Sequence, residues 1–552
     1  MDVSARTAGP DGPGPPGWQR RTGVWLVGVA AVLALLACLR VDGALIDDAF
    51  ITYRYAANLA GGRGMVYNPG ERVLGTTTPG WTVLLAGVAK AAGPAAIPGA
   101  ARVLNGLLLV AAGLVGARLA RGLTGSPLAA GLAGALVMIG PYQLTAGMAG
   151  MESPLFNLLV LSALLGLFEG RWRLAAAAAG MAPVVRPEGA LVVTVVAAAW
   201  ALSLRPRRGR GAADGQGPGA RFLVPAMLVV PGALLLLLTG LWYGSVVPQS
   251  VRAKQAGIYP LTVAESALET VRGLRGALSG ATAVDVVPGL HLLVLAAGTV
   301  VLWRASRRLW PLAALLWGYL AFYATSGTII FPHYLALVEP FALAAWGAAL
   351  YAVVAWGMRT FGRAGGGRAL ALALVGAVLL LRPLATWPLA SVLRGEPDPA
   401  DDAVGAPMMR MAFYRAAAEA VGPAIPPGTT VLMPEIGELG FRLPRVRVLD
   451  AAGLVSPEAV PFLPVPPEER VGPGVGAIPT GLVRAAEPDL VMTLEMFARR
   501  SIYEDPWFGQ RYETVWRWGD DDLVWGPLRI HARKGFEAGG RLRALPGGVT
   551  GG

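Results

Sequence analysis

Cysteine is almost missing from this 552-residue chain. Cys38 is the only one, so no intrachain disulfide can form, and its place in an apolar run makes it a packing residue. The three histidines, His291, His333 and His531, are too scattered for a His-rich metal motif. Charge is scarce as well: 15% of residues are Asp, Glu, Lys or Arg, against 54% of hydrophobic type and a mean hydropathy of +0.53. That balance suits a soluble globule poorly and a polytopic membrane protein well. The net charge of +12 is no sign of nucleic acid, because the arginines cluster in short loops between apolar runs, as the positive-inside rule predicts. Arg20 and Arg21 precede an apolar run as in a signal peptide, but no A-x-A cleavage site follows, which predicts an uncleaved signal anchor. The GGRG stretch at 61–64 lacks the GK[ST] of a phosphate loop and any preceding strand. No internal repeat is visible.

What is present is a series of apolar runs. Residues 1–22 are expected to be a disordered cytoplasmic tail and residues 23–386 a helical membrane domain. Spans are expected at about 23–40, 99–121, 127–147, 153–169, 221–241, 286–303, 309–326, 334–357 and 369–386, with two short helices meeting at a polar break within 174–204. With every basic loop on the cytoplasmic side, including the segment 205–211, this makes eleven alternating spans. The apolar stretch 79–92 is then interfacial or re-entrant, being too short to cross. From 387 to 535 short β-rich runs alternate with Pro and Gly turns and a helical stretch near 407–421, predicting an extracytoplasmic α/β domain. Residues 536–552 read as a Gly-rich disordered tail.

The unusual polar residues all fall on the predicted outer side. Asp47 and Asp48 stand side by side just past the first span, where isolated charge is costly and acids usually serve a function. Arg54 and the turn-rich 61–81 loop follow, then Glu152, then Arg186 and Glu188 at the polar break, then Arg252 and Lys254 in YGSVVPQSVRAKQAG, and His333 in FPHYLALVEP. A carboxylate suits general-base work on a sugar hydroxyl, and cations suit a departing lipid phosphate. Plainer roles stay open for each: a helix cap for the aspartates or Glu152, ordinary loop cations for Arg252 and Lys254, and a structural ion pair for Arg186 and Glu188.

DDAFITYRYAANLAGGRGMVYNPGERVLGTTTPGW closely resembles the first extracytoplasmic loop of GT-C membrane glycosyltransferases, in particular the mycobacterial terminal β-(1→2)-arabinofuranosyltransferase family. GMES, RPEG, YGSVVPQSVRAK and LDAAGL stand in the order such proteins show, over most of residues 40–455. The resemblance implies a polyprenyl-phosphate sugar donor, inversion by single displacement, a cell-envelope glycan acceptor, and an essential acid that maps to the Asp47–Asp48 pair. It favours Asp47 as base, with Asp48 orienting the acceptor or holding a cation; a divalent cation is left open, and no other cofactor is implied. Arg54, Glu152, Arg186, Glu188, Arg252, Lys254 and His333 map as substrate-binding candidates. Related enzymes read Asp-Glu where this chain reads Asp-Asp, and His333 stands where a more basic residue is expected. A flippase of lipid-linked sugars and a non-catalytic envelope assembly protein remain alternatives. A flippase would favour polar groups near mid-bilayer and repeats.

Reporter fusions test the orientation: those after residues 122, 210 and 306 should report cytoplasm, and those after 258 and 420 the outside. A cytoplasmic signal at 420 would overturn it.

Overall fold

A computed structural model describes residues 17–40, 46–204, 218–278, 288–361, 405–472, 476–521, 523 and 525–549. The expected span at 369–386 and the basic segment 205–211 lie outside the described residues. The helical part comprises α1 (Gly17–Arg40), α2 (Asp48–Ala60), α3 (Pro79–Ala92), α4 (Ile97–Thr124), α5 (Pro127–Ile139), α6 (Pro141–Met148), α7 (Ser153–Phe168) and α8 (Trp172–Val185). It continues with α9 (Gly189–Ser203), α10 (Pro218–Tyr243), α11 (Gln249–Gln255), α12 (Val263–Leu278), α13 (Pro288–Ala305), α14 (Trp310–Ala324), α15 (Pro332–Leu335) and α16 (Glu339–Phe361).

Among the described residues three helices are long and apolar enough to cross a membrane: α1, 94–124 and 221–243. The run expected as one span at 127–147 is α5 and α6, bent by 43° at Gly140–Pro141, which raises the number to four if counted as one crossing. The other apolar helices are shorter, so the count of eleven spans stays an expectation. The polar break within 174–204 takes the expected form, α8 and α9 meeting at Arg186–Glu188. α3 has 14 residues. At a rise of about 1.5 Å per residue it falls short of the roughly 30 Å hydrocarbon core. It packs on α2, α4 and α8. Small residues bring the helices close: a Cβ on Gly131 of α5 would collide with the backbone of Gly23 in α1. The flank of α10 is open, with Phe222 81% and Leu241 75% exposed, as suits a lipid-facing surface.

The C-terminal part comprises α17 (Gly405–Val421), β1 (Thr430–Met433), α18 (Glu438–Arg442), β2 (Arg447–Asp450), α19 (Thr480–Ala486), β3 (Leu490–Leu494), α20 (Pro506–Arg511), β4 (Tyr512–Trp518), β5 (Leu528–Arg533) and α21 (Ala538–Arg543). The sheet order is β2-β1-β3-β5-β4, parallel across β2, β1 and β3 and antiparallel across β3, β5 and β4. TVLM and LVMTL are continuous apolar runs, as strands covered on both faces require. Over 536–549 the expectation of disorder fails. Ala538 and Leu542 of α21 are buried, and Trp516 pairs with Gly548. The apolar positions in FEAGGRLRAL, spaced for a helix, were hidden by the surrounding glycines.

The C-terminal domain is bound tightly to the loop around α2, and one hydrophobic core runs through both. Asn68 mimics a strand, accepting from Val448 N at 3.0 Å and donating to Val448 O at 2.9 Å on the open edge of β2. Phe441 stacks edge-on against Phe50 and Tyr53. Arg54, 2% exposed, spends its donors on carbonyls: Tyr67 O at 2.9 Å, Val446 O at 2.8 Å, Leu443 O at 3.3 Å and Gly440 O. Arg54→Ala would orphan these acceptors, at a cost of at least about 3 kcal/mol. Thermal unfolding should show a lowered transition, and limited proteolysis should release the C-terminal domain; unchanged values in both would refute the latch.

Candidate active site

The site grows from the start of α2. Asp47 occupies the N-cap position with helical dihedrals but makes no cap bond to its own helix. Its carboxylate reaches across to the C-terminal domain, where Oδ2 accepts from Gly437 N at 2.7 Å and Oδ1 from Glu438 N at 2.8 Å. Those amides belong to the loop after β1. The chain leaves β1 to pair β2 on one side and β3 on the other, and such a reversal point opens a crevice beyond the carboxyl ends of parallel strands. Gly437 is required by proximity, since a Cβ there would overlap the Asp47 carbonyl. Burial first, then the negative charge of Glu435, hold the Asp47 carboxyl above the usual range, while the two amides act in the opposite sense.

Asp48 points elsewhere and keeps 44% of its side chain open, with Oδ2 3.7 Å from His333 Nε2. The candidate cleft is the space on this open side. Burial raises its carboxyl, and among nearby charges Lys254 opposes that most, with Glu435, Arg410 and Arg186 also in reach. Lys254, on α11, donates to Tyr334 Oη at 2.8 Å, with Nζ 4.8 Å from that ring's centroid. α11 is held in place by Gln249, whose backbone N–H donates to Leu74 O at 2.6 Å and whose side chain donates to Gly453 O at 3.1 Å. His333 is 5% exposed, lies parallel to Phe331, and its Nε2 has no hydrogen-bond partner.

Arg186 is clamped between two carboxylates, bonding Glu152 and, at 2.8 Å, Glu188. Tyr323 Oη also donates to Glu188 at 3.2 Å. A cation paired this fully is a fixed floor for the cleft, and its guanidinium lies 5.8 Å from the Tyr334 ring centroid.

The structure thus gathers Asp48, Lys254, His333 and Arg186, with Glu152 and Glu188 behind Arg186. Two candidates stand apart. Arg54 is the interdomain latch, and Arg252 is exposed and donates to Ser245 Oγ at 2.9 Å. The two aspartates also divide differently from the expectation: the oxygens of Asp47 are engaged by backbone amides, while Asp48 is open. Sequence reasoning missed the C-terminal contribution. Glu435 accepts from Tyr414 Oη and pairs with Arg410 Nη2 at 3.3 Å. The available signal was MPEIGELG, an acid in the loop directly after a strand. Among the described residues no group of three or more His, Cys, Asp or Glu is gathered to hold a metal ion.

A family model described as "Domain of unknown function (DUF8728)" matches residues 407–537, the C-terminal domain. Comparison with curated proteins finds no match. Among solved structures, ArnT from Cupriavidus metallidurans bound to undecaprenyl phosphate aligns with a TM-score of 0.52 and 14% identity, over 93% of this chain and 98% of that one. The Archaeoglobus fulgidus oligosaccharyltransferase tethered with an acceptor peptide aligns at 0.48 and 12%, over 90% and 73%. The arabinofuranosyltransferase AftD from mycobacteria aligns at 0.41 and 18%, over 95% and 42%. The ArnT likeness spans nearly the whole of both chains, and with it the chain is seen to have the GT-C fold: a polytopic helical domain carrying a C-terminal α/β domain.

Proposed function

We propose that this chain is an inverting glycosyltransferase that moves a sugar from a polyprenyl-phosphate donor to a cell-envelope glycan or glycolipid on the outer face of the plasma membrane. The observation that carries this reading is Asp48, a part-exposed carboxylate 3.7 Å from the unpartnered Nε2 of His333 and within electrostatic reach of the Lys254 ammonium. The shared fold with ArnT, a protein crystallised with undecaprenyl phosphate, supports a lipid-phosphate donor. The first-loop resemblance supports arabinofuranose as the sugar.

In this mechanism the acceptor hydroxyl gives its proton to Asp48 as its oxygen attacks the anomeric carbon. The bond from that carbon to the phosphate oxygen breaks on the opposite face, so configuration inverts. Polyprenyl phosphate leaves with its growing negative charge opposite Lys254. An alcohol is a poor nucleophile at neutral pH, and a positioned base is worth about 10²–10⁴ in rate. Asp47, its oxygens taken by amides, holds the helix start in place so that Asp48 faces the cleft. Arg186, neutralised by Glu152 and Glu188, shapes the floor and is not the phosphate's partner.

The test is turnover of a radiolabelled polyprenyl-phosphate sugar by the purified protein. Asp48→Asn should lower turnover at least about a hundredfold with thermal stability kept. Lys254→Ala should weaken donor use by about tenfold or more. Asp47→Asn removes one acceptor from the amide pair and should cost about 1–3 kcal/mol of stability. Normal turnover by a well-folded Asp48→Asn protein would exclude it as the base, and binding of the lipid without turnover by the wild type would favour a flippase or assembly role.

A further inference from the structure

The C-terminal domain brings its own charged groups to the cleft, and the proposed chemistry above leaves them unused. Arg410 and Tyr414 lie one turn apart on α17, hence on the same face. Both converge on Glu435, Tyr414 through its hydroxyl and Arg410 at 3.3 Å. Glu435 stands two residues before Gly437, whose amide binds Asp47, and its charge acts on both Asp47 and Asp48. It retains 18% exposure, and Arg410 retains 29% with its Nε unpartnered, so the pair is neither sealed in a core nor free on the surface. A purely structural pair would have no need to sit where the carboxyl end of β1 meets α2. A second observation points to a ligand at Asp48: His333, 95% buried, has Nε2 3.7 Å from an Asp48 oxygen and no hydrogen-bond partner. A buried ring nitrogen left unpaired is costly unless something fills its place.

We propose that the C-terminal domain completes the reaction centre, with Glu435, positioned by Arg410 and Tyr414, binding a hydroxyl of the acceptor adjacent to the one that reacts at Asp48. This rests on the glycosyl-transfer reading and adds a division of labour. The helical domain presents the donor side through Lys254, and the acceptor is gripped between the two domains. A carboxylate oxygen accepts more than one hydrogen bond, so Glu435 can keep Arg410 and Tyr414 while taking a hydroxyl. Two carboxylates within electrostatic reach of each other suit a hydroxyl-bearing acceptor and repel a phosphorylated or carboxylated acceptor end. Glu435 is then a substrate-binding residue, and Arg410 and Tyr414 are positioning residues.

The experiment uses the full chain in lipid nanodiscs, radiolabelled polyprenyl-phosphate arabinofuranose as donor probe and a synthetic arabinofuranose oligosaccharide as acceptor probe. Three quantities are read for the wild type, Glu435→Gln and Glu435→Asp: donor cleavage by water without acceptor, KM for the oligosaccharide, and thermal unfolding. Glu435→Gln should raise the acceptor KM at least about tenfold, a larger change than it makes in donor hydrolysis. Glu435→Asp should recover part of the loss. An unchanged KM in Glu435→Gln overturns the acceptor role while leaving the glycosyl-transfer reading in place. A fall in kcat and stability with KM unchanged reduces Glu435 to scaffolding and overturns it equally. If the wild type cleaves no donor with or without acceptor, the glycosyl-transfer reading fails and this inference with it.

Discussion

Two hydrogen bonds from the amides of Gly437 and Glu438 to the Asp47 carboxylate set the geometry on which the cleft depends. They join the first helix after α1 to the loop after β1, across nearly four hundred residues of chain. Around them Arg54, Asn68 and Phe441 bind the same two units with buried polar and aromatic contacts. Because α2 is fixed at its start and along its length, the orientation of Asp48 follows from that of Asp47, about 100° round the helix. A part-buried carboxylate is tolerated here because backbone donors satisfy it.

The charged groups around Asp48 differ in how fully they are already paired. Arg186 is fully spent on Glu152 and Glu188. Lys254, held by one phenol, has the freer cation. An ammonium with a phenol partner and donors to spare suits a transient anion better than a guanidinium already paired on two sides. The same logic separates the acids: Asp47 is satisfied, Asp48 is exposed to the cleft, and Glu435 is shared between a helix face and the opening. In the proposed mechanism the base is therefore the second member of the acid pair.

Much of the fold was legible in the sequence. Long uncharged runs can bury themselves only in lipid or in a bundle, so the helical domain follows from composition alone. The Pro-Glu break between α8 and α9 was visible because a charged pair interrupts an apolar run. The C-terminal domain announced itself by short β-branched runs between Pro and Gly turns. The bend between α5 and α6 was missed although Gly140–Pro141 marked it in the sequence; only the structure shows that Glu339, nearly two hundred residues on, accepts from the amides of Tyr142 and Gln143 at the start of α6.

The candidate site divides in the same way. The adjacent acids, the Arg186–Glu188 break, Lys254 and His333 could be picked out singly, because charge beside an apolar run is locally conspicuous. Which aspartate faces the cleft was not decided there. Two neighbouring carboxylates are chemically alike in a string, and only the amides of a distant loop tell them apart. Arg54 and Lys254 are likewise both cations of the predicted outer side. One is surrounded by carbonyls and the other looks into a cleft, and that difference arises from packing between segments far apart in the chain. Glu435 and Arg410 were invisible for the same reason: each is an ordinary surface-type residue until the sheet domain docks through the loop that binds Asp47. Local sequence determined which groups carry charge and which segments are helical; tertiary contact decided which of those charges are spent and which remain available.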